Sequence, residues 1–322
     1  MDKRRVVVVA YANTELLDVA CVTSAFAMAN LISERELYEL RVVSPGAETI
    51  SCDSGLQLLA HQSLESVRGP LDTLLITGGT GYEAAAADTR LVGHVRRLAR
   101  ESRRVASVCV GVSVLAAAGL LDGKRAATHW RYADQLAQTY EKVTIDPKPI
   151  FIREGNVATS AGVTSALDLT LAFIEEDLGA ELARWVARAL VTYLQRPGNQ
   201  AQMSMFTAAP PPEHDVVRKV VSYIAGNLSS DLSASTLAAQ AGVSERHLVR
   251  LFVAHLGLTL GKYVRQARIE AAAQLLASSD LPVARVATRC GFGSAETMRQ
   301  AFVDRFGIPP SRFRATQVGV AG

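Results

Sequence analysis

Cys109 is the residue of this chain best placed for covalent chemistry. It follows the strand expected at 104–108 and precedes Val110, Gly111 and a helical pattern, so the order is strand, sharp turn, thiol, helix. That is the layout of a nucleophile elbow, which exposes a side chain at the top of a sheet. Ser107 and Gly111 are small enough to permit the turn, and the adjoining helix start is expected to lower the thiol pKa. Thr77-Gly78-Gly79 ends an earlier strand, where glycine amides could approach an anion or build an oxyanion site. Asp18 opens the first helical stretch as the candidate acid, and His129 follows in Ala127-Thr-His-Trp as a second titratable group. The candidate pocket is therefore Asp18, Gly78, Gly79, Cys109, Val110 and His129. Its weak point as a catalyst is Val110, which can neither accept a proton nor orient a substrate by hydrogen bonding. His129 reads better as a structural partner of Trp130 than as a base. Ligand sensing is the preferred use of the pocket, with no catalytic residue established. A cysteine-dependent hydrolase or hydratase is the alternative, and redox sensing through a low-pKa Cys109 a third.

A second set of functional residues lies near the C-terminus, where one helical pattern is written twice. Leu237-Ala-Ala-Gln-Ala-Gly-Val-Ser precedes Leu248, Arg250, Phe252, Gly257 and Tyr263, and Val286-Ala-Thr-Arg-Cys-Gly-Phe precedes Met298, Arg299, Phe302, Gly307 and Phe313. Each copy reads as a short helix, a glycine turn and a second amphipathic helix, the shape that enters a DNA major groove. In the first copy Ser244 is placed to cap the second helix, and Arg246, Val249 and Arg250 fall on its outer face. Arginine can donate two hydrogen bonds to guanine, so Arg246 and Arg250 are candidate base readers. In the second copy Ser294 caps, and Ala295, Glu296, Arg299 and Gln300 face outward. Ala295 offers only an apolar contact, which makes the second reader the weaker. Arg265, Arg268, Arg312 and Arg314 are candidate phosphate contacts. A helix over 262–277 would fix the two readers about one DNA turn (~34 Å) apart.

The elements that must position these residues are of two kinds. Strands expected at 5–11, 39–44, 73–77 and 104–108 alternate with helices at 17–31, 88–101 and 111–118, followed by helices at 163–178 and 180–194. That alternation predicts a parallel α/β sheet, sandwiched by helices, over 1–196. Arg196-Pro-Gly-Asn, a polar stretch and Pro210-Pro-Pro-Glu mark a linker at 197–214. An all-α domain with two helix-turn-helix units is expected at 215–316, then a short tail at 317–322. The net charge of +3 is unevenly spread. Residues 1–196 hold 21 Lys and Arg against 23 Asp and Glu, a balance of −2, whereas 197–322 hold 13 against 8, a balance of +5. The basic surplus thus falls on the helical half, as phosphate binding requires. Cys21, Cys52, Cys109 and Cys290 show no metal-ligand spacing, so neither metal nor cofactor is expected, and reduced thiols fit a cytoplasmic protein. Cys21, Cys52 and Cys290 read as buried small hydrophobes. The apolar run after Lys3-Arg-Arg is too short for a signal peptide, and no uninterrupted apolar stretch is long enough to span a membrane.

Over roughly 215–314 the chain resembles the AraC/XylS transcription regulators, most specifically through Cys290-Gly-Phe-Gly-Ser, Phe302, Phe306-Gly-Ile-Pro-Pro-Ser and Phe313. Leu260 stands where members of that family often have proline, a change that a helix entrance tolerates. Over about 5–196 it resembles the DJ-1/PfpI superfamily, part of the class I glutamine amidotransferase-like fold with its flavodoxin-like sheet. The residues that carry this are Leu16-Leu-Asp18-Val-Ala, Ile76-Thr-Gly-Gly, Ser107-Val-Cys109-Val-Gly, Ala118-Gly-Leu-Leu-Asp-Gly-Lys, Thr128-His-Trp and Thr159-Ser-Ala-Gly-Val-Thr. The branch that joins both domains is the GlxA type. The resemblance implies that Cys109 matches the nucleophile and Asp18 the acid facing it. Protease-like relatives carry histidine, and isocyanide hydratases threonine, where Val110 stands, and the His-x-Glu of true amidotransferases has no counterpart here. A ligand-responsive regulator follows as the expectation: a homodimer through the N-terminal domain, bound to promoter DNA and a small-molecule effector, with RNA polymerase a further partner and no membrane association. Related sensors suggest amino-acid-like or quaternary-ammonium effectors.

Overall fold

Valines in unbroken succession decide where the first strand lies. In β1 (Arg4–Val9), Val6 and Val8 point into one hydrophobic core and Val7 and Val9 into another. A strand apolar on both faces must be central and covered on both sides. The computed structural model describes residues 3–47, 49–192, 196, 198, 202 and 214–317, without the side chains of 277, 278 and 315–317. Most of the expected linker 197–214, all but residue 317 of the tail, and the end of the helix expected at 180–194 lie outside those residues. The chain divides into two units, Met1–Gln202 and Met203–Gly322.

In the first unit β1 leads to α1 (Leu16–Ser33), β2 (Tyr38–Ser44), a small hairpin of β3 (Ile50–Ser51) and β4 (Gln57–Leu58), and β5 (Gln62–Ser63). Then come β6 (Leu71–Ile76), α2 (Tyr82–Ala87), α3 (Thr89–Arg100), β7 (Ser102–Val108), α4 (Val112–Ala117), β8 (Arg125–Ala127), α5 (Ala133–Thr139) and β9 (Thr144–Asp146). The unit closes with β10 (Phe151–Glu154), β11 (Val157–Ser160), α6 (Thr164–Leu178) and α7 (Ala180–Ala189). The main sheet has the order β10-β11-β7-β6-β1-β2-β5 and is parallel except for the β10–β11 hairpin. The chain reverses direction across the sheet between β1 and β6, and a crevice beyond the carboxyl ends at such a point is where open α/β sheets bind ligands. Leu91, Val95 and Leu98 of α3 and Val112 and Leu115 of α4 cover one face, while α1, α6 and α7 cover the other.

Among the described residues one helix, α1, is apolar and long enough to cross a membrane by length and composition. Its Val19, Val22, Ala25, Phe26 and Ala29 are instead packed into the core of the sheet. The helix expected at 180–194 stops at Ala189, with Val191 in the left-handed region at φ 53°. Val163 likewise stands outside α6, at φ 50°.

The second unit comprises α8 (Asp215–Gly226), α9 (Ala234–Ala241), α10 (Glu245–Leu256), α11 (Leu260–Ser278), α12 (Val283–Arg289), α13 (Ala295–Phe306) and α14 (Pro310–Gln317). The sequence repeat is a packing repeat. Phe252 meets Tyr263 edge-on at 5.6 Å and 81°, and Phe302 meets Phe313 at 5.0 Å and 78°. Gly257 and Gly307 end their helices at φ 65° and 71°, a conformation that side chains beyond glycine rarely adopt. Leu260, in the place of the family's proline, is buried at the first position of α11 behind the Thr259 cap.

Candidate functional site

Four neighbouring strands deliver the elbow. β1, β6, β7 and β11 are parallel, so their carboxyl ends bring residues 10–18, Thr77-Gly78-Gly79, Cys109 and Ala161-Gly162-Val163 to one edge of the sheet. Cys109 takes φ 54°, a strained value for a residue with a side chain, and a 3-10 turn over Cys109–Gly111 separates it from α4. Glycine lets the backbone crowd in on both sides. A Cβ on Gly78 would lie 2.5 Å from the Cβ of Cys109 and 2.9 Å from Asp18 Oδ2, and one on Gly162 would overlap Cys109 Cβ. Asp18 is fully buried and accepts two backbone N–H groups, from Gly78 to Oδ2 at 2.9 Å and from Val163 to Oδ1 at 2.6 Å.

The electrostatics correct the expected low thiol pKa. Burial pushes the Cys109 thiol up, the Asp18 carboxylate adds to it, and Glu15 and Asp53 act in the same direction. The Val110 amide opposes them but does not prevail, because burial is the larger effect. Asp18 itself is pushed up to about 7, burial outweighing its hydrogen bonds from Val163 and Gly78. Burial and the neighbouring carboxyl groups both oppose ionisation of the thiol.

Other candidates take different places. The Gly78 amide, expected to face an anion, is committed to Asp18. Gly79 turns at φ 127° with its α-carbon hard against the backbone of residues 13–15. Val110 belongs to the core, so its side chain forms no polar wall of a pocket. His129 caps a 3-10 turn by accepting the Arg131 N–H at Nδ1 (3.3 Å) and stacks on Trp130 at 5.6 Å; burial, then Arg131, lowers its pKa. It is the neighbour, Thr128, that reaches the elbow, donating its hydroxyl to the Cys109 carbonyl at 3.0 Å. Thr128, Gly162 and Val163 all sit in motifs the sequence displays, yet their backbone roles leave no mark on residue type. Cys52 and Cys290 are buried as expected, whereas Cys21 is half-exposed. A cleft of about 200 Å³ opens beyond β1 and β2, lined among others by Tyr11, Ala12, Ser44, Gly81 and Asp88. Tyr11 links it to the site, since its hydroxyl donates to the Thr77 carbonyl at 2.8 Å.

In the helical unit, Ser244 Oγ accepts the His247 N–H (3.3 Å) and Ser294 Oγ the Thr297 N–H (3.0 Å), so both serines cap as their spacing predicts. Arg246, Val249 and Arg250 are exposed on α10; Arg250 leans on His247 Nδ1 at 3.0 Å, and no ion pair among the described residues holds either arginine. On α13 the exposed polar groups engage one another. Arg299 grips Glu296 through two bonds of 2.8 and 2.6 Å, and Gln300 donates to Asp304 at 2.8 Å. Ala295 is only partly exposed. Arg265 pairs with Asp304 at 2.7 Å, and Arg312 is exposed. Two expected phosphate contacts point elsewhere. Arg268 donates to the carbonyls of Leu228 and Ser230, each at 3.0 Å, and packs where a Cβ on Gly291 would touch it. It braces the turn after α8 against the end of α12. Arg314 keeps Nε and Nη2 buried.

Residues 4–176 match the model of the DJ-1/PfpI family. The chain belongs to that family. Residues 237–316 match a helix-turn-helix domain, of the AraC type. Among curated relatives, the HTH-type transcriptional regulator GbdR of Pseudomonas aeruginosa (strain UCBPP-PA14) is 28% identical over 95% of this chain and 82% of its own length. The HTH-type transcriptional regulator GlxA of Rhizobium meliloti (strain 1021) is 31% identical over 94% of this chain and 93% of its own. Drosophila melanogaster DJ-1beta shares the α/β fold, with a TM-score of 0.52 at 21% identity over 59% of this chain and 98% of that one. Near-full-length similarity to such regulators, with the helix-turn-helix match, makes this DJ-1/PfpI family member a DNA-binding transcription regulator.

Proposed function

We infer that the DJ-1/PfpI domain senses a small metabolite at the Asp18–Cys109 pocket and that the chain acts in the cytoplasm as a homodimer on promoter DNA. The observation that carries the sensing half is Cys109. Its elbow is kept, at φ 54°, around a thiol whose surroundings oppose ionisation. A nucleophile needs a thiolate or a base, and here three carboxyl groups stand against the first while Val110 cannot supply the second. A strained position costs on the order of 1–3 kcal/mol, which a site poised between two arrangements can use. On the output side, α10 is the stronger reader, since among the described residues no ion pair holds Arg246 or Arg250, and α13 the weaker, its Arg299 partly neutralised by Glu296. Two copies joined through the α/β domain would gain avidity on paired half-sites without any new contact.

The test uses the full chain and a duplex selected from a random pool. Fractionated metabolites are added while duplex affinity and Cys109 alkylation by iodoacetamide are followed together. The expected result is one fraction that changes affinity about fivefold or more and also alters Cys109 accessibility. A fraction that changes affinity and leaves Cys109 untouched would move the sensing site elsewhere. The strained elbow also favours a second reading, a cysteine-dependent hydrolase or hydratase. Turnover of amides, isonitriles or α-oxoaldehydes, abolished by Cys109→Ala, would establish it.

A further inference from the structure

The last described residues of the α/β unit are held down at two points, and each is one step from the elbow. Arg196 is the first. Its backbone N–H (2.8 Å), Nε (2.9 Å) and Nη2 (2.7 Å) donate to the Asp168 carboxylate, and Nη2 also reaches Thr164 Oγ1 at 3.0 Å. Asp168 is buried on α6, one turn beyond Thr164. Thr164 directly follows Val163, whose N–H holds Asp18. Gln202 is the second point. Its Nε2 donates to the Thr128 carbonyl at 2.7 Å, its Oε1 accepts the Trp130 N–H at 2.9 Å, and its own N–H donates to the Lys148 carbonyl at 2.9 Å. Thr128 is the residue whose hydroxyl holds the Cys109 carbonyl. Beyond Gln202 the chain belongs to the DNA-binding unit. A plain surface connector has no need of a buried ion pair or of a glutamine that uses both ends of its amide, since ordering such side chains costs entropy.

We propose that Arg196 and Gln202 are positioning residues that transmit the state of the Cys109 site to the DNA-binding helices. A shift of Asp18 moves Val163 and the first turn of α6, to which Arg196 is fixed. A shift of the Cys109 carbonyl moves Thr128, to which Gln202 is fixed. Arg196 and Gln202 are therefore two anchors on the α/β unit, each set by a different half of the site, and a change at either half alters the point from which the chain continues to the second unit. This rests on the Cys109 pocket being the sensing site.

Such coupling is reciprocal, so it can be read from the DNA end without the effector. The full chain is alkylated with iodoacetamide, with and without a saturating selected duplex, and peptide mass spectrometry separates Cys109 from the other cysteines. In the wild type the duplex is expected to change the Cys109 rate about fivefold or more. In Gln202→Ala the duplex still binds but its effect falls below about twofold, in the uncoupled range. The double variant Arg196→Gln with Asp168→Asn removes both charges together, leaves no buried carboxylate unpaired, and is expected to behave alike. An effect kept at full size in both variants overturns the coupling role alone. A wild type that binds duplex with no change at Cys109 overturns the sensing reading and the coupling with it.

Discussion

Single residues at the elbow carry opposing demands that burial resolves. Asp18 accepts two N–H groups, an arrangement that favours the carboxylate, yet burial lifts it to about 7. Its folded-state pKa lies above its unfolded value, so the folded chain binds the extra proton between about pH 4 and 7 and loses stability as pH rises through that window. The stability difference between wild type and Asp18→Asn should therefore shrink from pH 4 to 7 and level off above, as urea melts across that range would show. A difference that grows with pH would mean Asp18 is held as a low-pKa carboxylate. Gly162 gives a simpler test. At φ 84°, with a Cβ overlapping Cys109, Gly162→Ala should cost about 2 kcal/mol or more in chemical denaturation. A neutral outcome would contradict the close packing around the thiol.

At the scale of elements, the repeat is held together by residues whose partners are backbone atoms. Arg268 on α11 bonds two carbonyls of the turn after α8 and lies against Gly291 beyond α12, so it ties that turn to the start of the second helix-turn-helix unit. Arg268→Ala should lower stability by about 2 kcal/mol. The salt slope of DNA binding should stay the same, where loss of a phosphate contact would reduce it by about one unit. The sequence shows the helices themselves through the spacing of Phe252, Phe302, Tyr263 and Phe313, and the central strands through their apolar runs. It hides the edge strand β10, where Arg153 and Glu154 break the apolar pattern, and the interior β11, whose Val-Ala-Thr-Ser is too short and half polar to read as a strand. It also hides the roles of Arg268, Val163 and Thr128, since a carbonyl or amide partner can belong to any residue type. Cys109 and Asp18 are visible as a pair, but the direction of the thiol shift depends on burial and on Glu15 and Asp53, which spacing alone does not reveal.

The whole molecule joins a sheet that carries a strained cysteine turn to the helix-turn-helix domain of a DNA-binding regulator. Charge follows the same division, with the basic surplus on the helical half. Among the described residues no ion pair holds Arg246 or Arg250 on α10, whereas Glu296 engages Arg299 on α13. Specific recognition should therefore depend most on α10. The most direct measurement is the affinity of wild type and Arg250→Ala for a selected duplex and for random duplex at one salt concentration. A base-reading Arg250 predicts a loss of about 1–3 kcal/mol on the selected duplex and far less on random DNA. An equal loss on both, or none on either, would contradict α10 as the sequence-reading helix.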